Sequence, residues 1–131
     1  VVMANHATLA GHVEVFDHAV FGGMVAVGTF LRVGESAMLA AGAMVERDVP
    51  PFCTVAGDRA RLRAVNRVGL ERRGVPAAAR RQIKRVFLAL KERRASVAEI
   101  VAQIDRVEEP SAELARMRDF IAGGSRGFVR G

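Results

Sequence analysis

The chain has 131 residues, half of them hydrophobic, with seven Phe but neither Trp nor Tyr. That length holds one compact domain, or a solenoid segment with a small cap, and a core rich in small apolar residues suits a narrow interior. Cys53 is the single cysteine, which excludes an intrachain disulfide and points to a reducing compartment, the cytoplasm. No apolar run approaches the roughly 18–20 residues of a membrane span, so stable membrane insertion is not expected. Charge is unevenly divided: residues 1–55 carry only Arg32 and Arg47 against five acids, whereas residues 56–131 carry eighteen Lys or Arg against nine. A basic second half could face nucleic acid, acidic lipid or a phosphorylated small molecule. Aromatic residues are not interleaved with the basic ones, so a nucleic-acid platform is not expected.

From Met3 an apolar residue recurs at every sixth position: Met3, Leu9, Val15, Phe21, Val27, Val33, Leu39 and Val45. Four positions after each comes a second one: Ala7, Val13, Ala19, Val25, Leu31, Ala37, Ala43 and Val49. A period of six fits neither a helical face nor strand alternation. It fits a left-handed parallel β-helix, in which three hexapeptide faces make one triangular coil. Residues eighteen apart should then stack at roughly the 4.8 Å strand spacing, giving interior columns Met3–Phe21–Leu39, Leu9–Val27–Val45 and Val15–Val33. Small residues after the column positions (Ala4, Ala10, Gly22, Gly28, Gly34, Ala40) mark corners with little room for a side chain. Pro50-Pro51 is expected to end the pattern, since neither can donate a ladder hydrogen bond.

Three segments are therefore predicted: β-helix coils over 1–54, a loop-rich connector over 55–74 punctuated by Gly57 and Gly74, and a C-terminal α-helical domain over 75–131. Its first helix starts near Pro76 and buries Ala79, Ile83, Val86, Phe87 and Leu90, with Arg and Lys on the other face. Ser96 and Glu99 form a capping box for a second helix carrying Val97, Ile100, Val101, Ile104 and Val107. Pro110-Ser111 opens a third, with Leu114, Met117 and Ile121 inward and Gly123-Gly124 at its end. The tail 125–131 shows no structural signal.

His6, His12 and His18 repeat with the hexad and would suggest a zinc site in a globular chain. Equal hexad positions lie on three faces of a prism about 120° apart, so within one chain they cannot converge. A metal would need a subunit interface, as in the γ-class carbonic anhydrases that share this solenoid, and none is expected.

Local motifs narrow the family. Residues 4–13 (ANHATLAGHV), Gly22-Gly23-Met24, Asp48-Val49-Pro50-Pro51-Phe52, residues 65–74 (VNRVGLERRG) and residues 125–130 (SRGFVR) follow one another in that order. Together they resemble the C-terminal half of the UDP-N-acetylglucosamine O-acyltransferases of lipid A biosynthesis, which are hexapeptide-repeat enzymes. The resemblance implies transfer of a 3-hydroxyacyl group from acyl carrier protein to the sugar 3-hydroxyl, without a cofactor, by a homotrimer with active sites between prisms. It implies an oxyanion role for the Gly11 N–H and a sugar contact for His12. Asn66, Arg72 and Arg73 would hold the nucleotide and its phosphates, and Met38 and Ala41 the end of the acyl chain.

Departures are as informative. The family's general base is a histidine in a coil upstream of the ATLAGH segment, and this chain, beginning at Val1 inside a repeat, does not include it. His6 is not that residue, a second family histidine is replaced by Gly28, and Ala41 stands where the family often has Gly. The expectation is little or no acyl transfer by this chain alone. The alternatives are a non-catalytic trimeric scaffold or nucleotide-sugar-binding homologue, and, further off, a γ-carbonic-anhydrase-like zinc lyase.

Overall fold

A computed structural model describes residues 1–131. Eight two-residue strands follow one another at the hexad spacing: β1 (Val2–Met3), β2 (Thr8–Leu9), β3 (Glu14–Val15), β4 (Val20–Phe21), β5 (Ala26–Val27), β6 (Arg32–Val33), β7 (Met38–Leu39) and β8 (Met44–Val45). Each of the first five pairs in parallel with the strand one coil later, giving β1-β4-β7, β2-β5-β8 and β3-β6 on three faces. The register sets Met3 against Phe21, Leu9 against Val27, Val15 against Val33 and Phe21 against Leu39. The interior closes along the axis: Met3 is 42% exposed at the first coil, Phe21 1% and Leu39 0%.

Each corner is made the same way. The third residue after the column position takes a left-handed backbone: His6, His12, His18, Met24, Phe30 and Ser36 have φ between 53° and 64°, and Gly42 has φ 77°. An L side chain pays about 1–2 kcal/mol for that conformation. Inter-coil hydrogen bonds hold it in place, with the N–H groups of Met24, Phe30 and Ser36 donating to the carbonyls of Asn5, Gly11 and Asp17. The six-residue spacing of the histidines is thus the spacing of the corners, and each occupies a different one.

The solenoid does not end at the prolines. It tightens by two residues, so that Val33 bridges Val49 and Leu39 pairs with Val55 in β9 (Cys53–Ala56). Both prolines are buried at this shortened corner. The chain then reverses into β10 (Arg61–Val65), antiparallel to β9, and enters helix α1 (Arg67–Arg72). The loop-rich connector expected over 55–74 is therefore mostly strand and helix.

Three further helices follow: α2 (Ala77–Lys91), α3 (Val97–Asp105) and α4 (Ala112–Ala122). Pro76 precedes α2, whose buried residues are the five expected. Ser96 and Ser111 cap α3 and α4 by accepting from the N–H groups of Glu99 and Leu114, each at 3.1 Å. Phe120 joins Leu114, Met117 and Ile121 on the buried face of α4. No helix is long and apolar enough to cross a membrane.

The tail, which carries no sequence signal, returns to the solenoid. Phe128 bridges Asp48, Val129 donates to the Asp48 carbonyl, and both tail residues are buried. Arg32 locks this junction. Its Nε donates to the Asp48 carboxylate at 3.0 Å, its Nη2 donates to the Phe120 carbonyl at 2.8 Å, and its guanidinium lies 4.0 Å from the Phe120 ring centroid. Cys53 lies in the core at this end, where burial pushes its thiol pKa far up and leaves it a small apolar residue.

Candidate functional site

The three corner columns carry different chemistry. The first holds His6, Met24 and Gly42, the second His12 and Phe30, and the third His18, Ser36 and Phe52, the last also left-handed at φ 63°. No group of three or more His, Cys, Asp or Glu side chains converges anywhere.

Gly11 and His12 form the second corner of the first coil. The Gly11 carbonyl accepts from Phe30 at 3.0 Å, while its own N–H donates to no backbone carbonyl. A Cβ there would meet only a Thr29 methyl, at 3.9 Å, so packing does not demand a glycine. The exposed His12 ring stacks on Phe30 with centroids 4.7 Å apart and planes 10° from parallel. The Arg126 guanidinium lies 5.3 Å from the centroid of the same Phe30 ring. Phe30 and Arg126 were missed from the sequence. Phe30 lies eighteen residues after His12, so coil stacking could have placed it; Arg126 comes from the tail and left no signal.

Asn66 is held at both ends of its amide. Its Oδ1 accepts from the Gly69 N–H at 3.2 Å, capping α1, and its Nδ2 donates to the Ser36 carbonyl at 2.8 Å. Its backbone N–H donates to Phe52, also at the third corner. A Cβ on Gly69 would sit 2.5 Å from Asn66 Nδ2, so this cap requires glycine three residues on. Helix α1 is thereby pinned to the third corner, with Arg72 in its last turn and Arg73 at its C-cap. Both arginines are exposed and neither makes an ion pair, although Arg67 and Arg80 both approach Glu71 nearby.

Met38 is half-buried in β7 between Val20 and Thr54, and Ala41 is exposed beyond it, at the first corner. The structure thus groups Gly11 with His12, Asn66 with Arg72 and Arg73, and Met38 with Ala41. It puts the three groups on different edges of one prism.

Helix α4 leans on the third corner through Arg116, whose guanidinium grips Glu35 at 2.6 and 2.9 Å and is stabilised in its charged form by that bond. Arg130 binds the Ala95 carbonyl at 2.9 Å, and burial lowers its pKa.

Parallel hexapeptide coils continued by a β-hairpin and a helical cap define a hexapeptide-repeat β-helix protein. The family model described as UDP-N-acetylglucosamine O-acyltransferase, domain 2, matches residues 48–129. The acyl-(acyl-carrier-protein)–UDP-N-acetylglucosamine O-acyltransferase of Verminephrobacter eiseniae is 39% identical over 98% of this chain and 51% of its own length. That of Campylobacter concisus is 52% identical over 73 residues, 56% of this chain and 28% of its own. Among solved structures, the Francisella novicida UDP-N-acetylglucosamine acyltransferase superposes with a TM-score of 0.89 at 32% identity, over 97% of this chain and 47% of that one. The Campylobacter jejuni enzyme gives 0.87 at 33%, over 98% and 50%. The chain belongs to the UDP-N-acetylglucosamine O-acyltransferase family. It spans about half the length of the curated relatives that match it from end to end.

Proposed function

We propose that these residues form the C-terminal portion of an acyl-(acyl-carrier-protein):UDP-N-acetylglucosamine O-acyltransferase, the cytoplasmic enzyme of the first step of lipid A biosynthesis. The observation that carries this reading is the pinned α1 helix. Asn66 fixes it to the solenoid, and it ends in two exposed guanidinium groups with no acid to neutralise them. Such forks suit a nucleotide diphosphate, which they can hold by paired charge-assisted bonds. Asn66 acts with them, orienting the helix and offering its remaining amide hydrogen to the nucleotide.

The Gly11 N–H is the electrophilic element. The sugar 3-hydroxyl attacks the thioester carbonyl carbon, the C–S bond breaks, and the thiol leaves with the proton. An N–H aimed at the carbonyl oxygen stabilises the charge that develops there. His12 contacts the sugar, held in place by Phe30. Met38 and Ala41 meet the far end of the acyl chain. No cofactor takes part.

The active assembly is a homotrimer. Separation of the three residue groups on one prism supports this, because neighbouring copies can bring together edges that a single chain keeps apart. So do Met24 and Phe30, apolar corner residues left 68% and 51% exposed. The base that takes the hydroxyl proton is not assigned among these residues, because in the family it is a histidine of a coil upstream of the ATLAGH segment and His6 does not hold that position. The 131 residues alone therefore give little or no acyl transfer, and the activity appears when the coils that precede the ATLAGH segment in the family are restored.

Titration calorimetry with UDP-N-acetylglucosamine tests the nucleotide site. Wild type binds, and Arg73→Ala weakens binding at least tenfold. No binding by wild type, or an unchanged affinity in Arg73→Ala, would overturn the assignment.

A further inference from the structure

A cleft of about 450 Å³ opens where the last coil of the solenoid, the β9–β10 hairpin and the tail meet. None of Gly11, His12, Asn66, Arg72 and Arg73 lines it. Four separate stretches of chain send arginines into its wall. Arg47 follows β8, Arg59 and Arg61 stand around the start of β10, Arg93 lies between α2 and α3, and Arg130 is in the tail. Glu46 is the one acid among the lining residues. Phe128 and Val129, each 3% exposed, form the base.

The acids nearby are already committed. Glu46 accepts from Arg59 Nε at 2.9 Å, and Asp58 accepts from Nη1 of the same arginine. The other four arginines form no ion pair. Arg93 and Arg130 are held by neutral carbonyls instead, Arg93 by that of Gly131 and Arg130 by those of Leu90 and Ala95. Arg130 is partly buried, and that burial works against its charge. A desolvated cation bonded only to neutral groups is short of a counter-charge. Arg47 lies along the tail backbone at Gly127, where φ is 74° and an added Cβ would sit 2.9 Å from its Nη1. The carbonyl anchors and this glycine thus gather guanidinium forks from distant parts of the chain around one space.

A carboxylate has two oxygens, which a single guanidinium fork can fill. Four forks without an acid call for an anion with more acceptors and more charge. A phosphate ester or a diphosphate supplies both, and the planar guanidinium matches its geometry. We propose that this cleft is a binding site for a phosphate-bearing ligand, held by Arg47, Arg61 and Arg130 above the Phe128 base. The site is separate from the sugar-nucleotide site and does not depend on that reading. A ligand here bridges the last coil, the hairpin and the tail, so it stabilises the folded chain as it binds.

The test is titration calorimetry with pyrophosphate in about 150 mM NaCl, which screens loose surface pairing. Wild type should bind, and its melting temperature should rise with pyrophosphate concentration. Arg47→Ala/Arg61→Ala should bind at least tenfold more weakly, with an unchanged melting temperature when pyrophosphate is absent. Glu46→Gln removes the acid from the wall and should bind several-fold more tightly. Arg72→Ala/Arg73→Ala should keep this binding event, and Arg47→Ala/Arg61→Ala should keep that of UDP-N-acetylglucosamine. Flotation with phosphatidic acid vesicles identifies the source of the phosphate. Capture that is lost in Arg47→Ala/Arg61→Ala assigns a lipid headgroup, and pyrophosphate binding without capture assigns a soluble ester; both support the site. Failure of wild type to bind either probe overturns the proposal, as does equal affinity of wild type and Arg47→Ala/Arg61→Ala. Loss of all pyrophosphate binding in Arg72→Ala/Arg73→Ala also overturns it, by assigning that binding to the nucleotide site.

Discussion

Asp48 is 1% exposed and carries the only buried carboxylate of the core, so its partners decide whether the junction holds. Its oxygens accept from the Arg32 backbone N–H at 2.9 Å and from Arg32 Nε at 3.0 Å, while its own backbone is bonded to Gly127 and Val129. Removing one member of a buried pair strands the other charge and costs about 3–5 kcal/mol. Asp48→Ala should therefore lose about that much stability in urea unfolding, and Asp48→Asn, which keeps a hydrogen-bonding oxygen, should lose less. A loss below about 1 kcal/mol would show that the tail and α4 do not depend on this clamp. The pairing was not legible in the sequence, because Arg32 and Asp48 are sixteen residues apart and the repeat predicts contact at eighteen. The histidines mislead in the opposite sense: their regular spacing suggests ligands, yet it arises from a left-handed corner that recurs every six residues. The motif makes Asn66 a candidate site residue, but its bond to Ser36 depends on a fold that brings together residues thirty apart.

At the scale of elements, the corners set how closely successive coils can stack. A Cβ on Gly34 would lie 2.5 Å from the Pro51 nitrogen and 2.7 Å from its Cα, rigid backbone that cannot swing aside. Gly42 is the opposite case, with φ 77° and nothing within 4 Å of the added carbon. Gly34→Ala must force the last two coils apart and should cost about 3 kcal/mol, the upper part of the usual overpacking range. Gly42→Ala should cost about 1 kcal/mol, for backbone strain alone. Equal losses in parallel urea titrations would mean that the coils yield more easily than this spacing implies. The coils were readable because a six-residue period has few structural solutions, and the helices because their apolar stripes and serine caps are local signals. The β9–β10 pair and the return of the tail were not. The first follows a corner shortened by two residues and turns without an Asn-Gly or Asp-Gly signal. The second buries Phe128 and Val129 through contacts with a strand region eighty residues earlier, where no local pattern can foretell them.

For the whole molecule, the decisive feature is that one prism distributes its candidate site residues over separate edges. Gly11 and His12 occupy the second corner, while Arg72 and Arg73 project from a helix tied to the third. If the homotrimer completes each site from two copies, then His12→Ala and Arg73→Ala damage opposite sides of the same cleft. Each homogeneous variant has three defective clefts and should bind UDP-N-acetylglucosamine at least tenfold more weakly. Unfolding the two together in equal amounts and refolding them allows random assembly. A cleft is then intact when an unaltered corner faces an unaltered helix, which happens in about one cleft in four for a cyclic trimer. Calorimetry of the mixture should recover about a quarter of the wild-type binding capacity at wild-type affinity. A site contained within one chain predicts no recovery, since every chain carries one lesion. Sedimentation of the same mixture supplies the matching control. A trimer with a quarter of its sites restored supports the shared cleft, and a monomer at micromolar concentration rejects it.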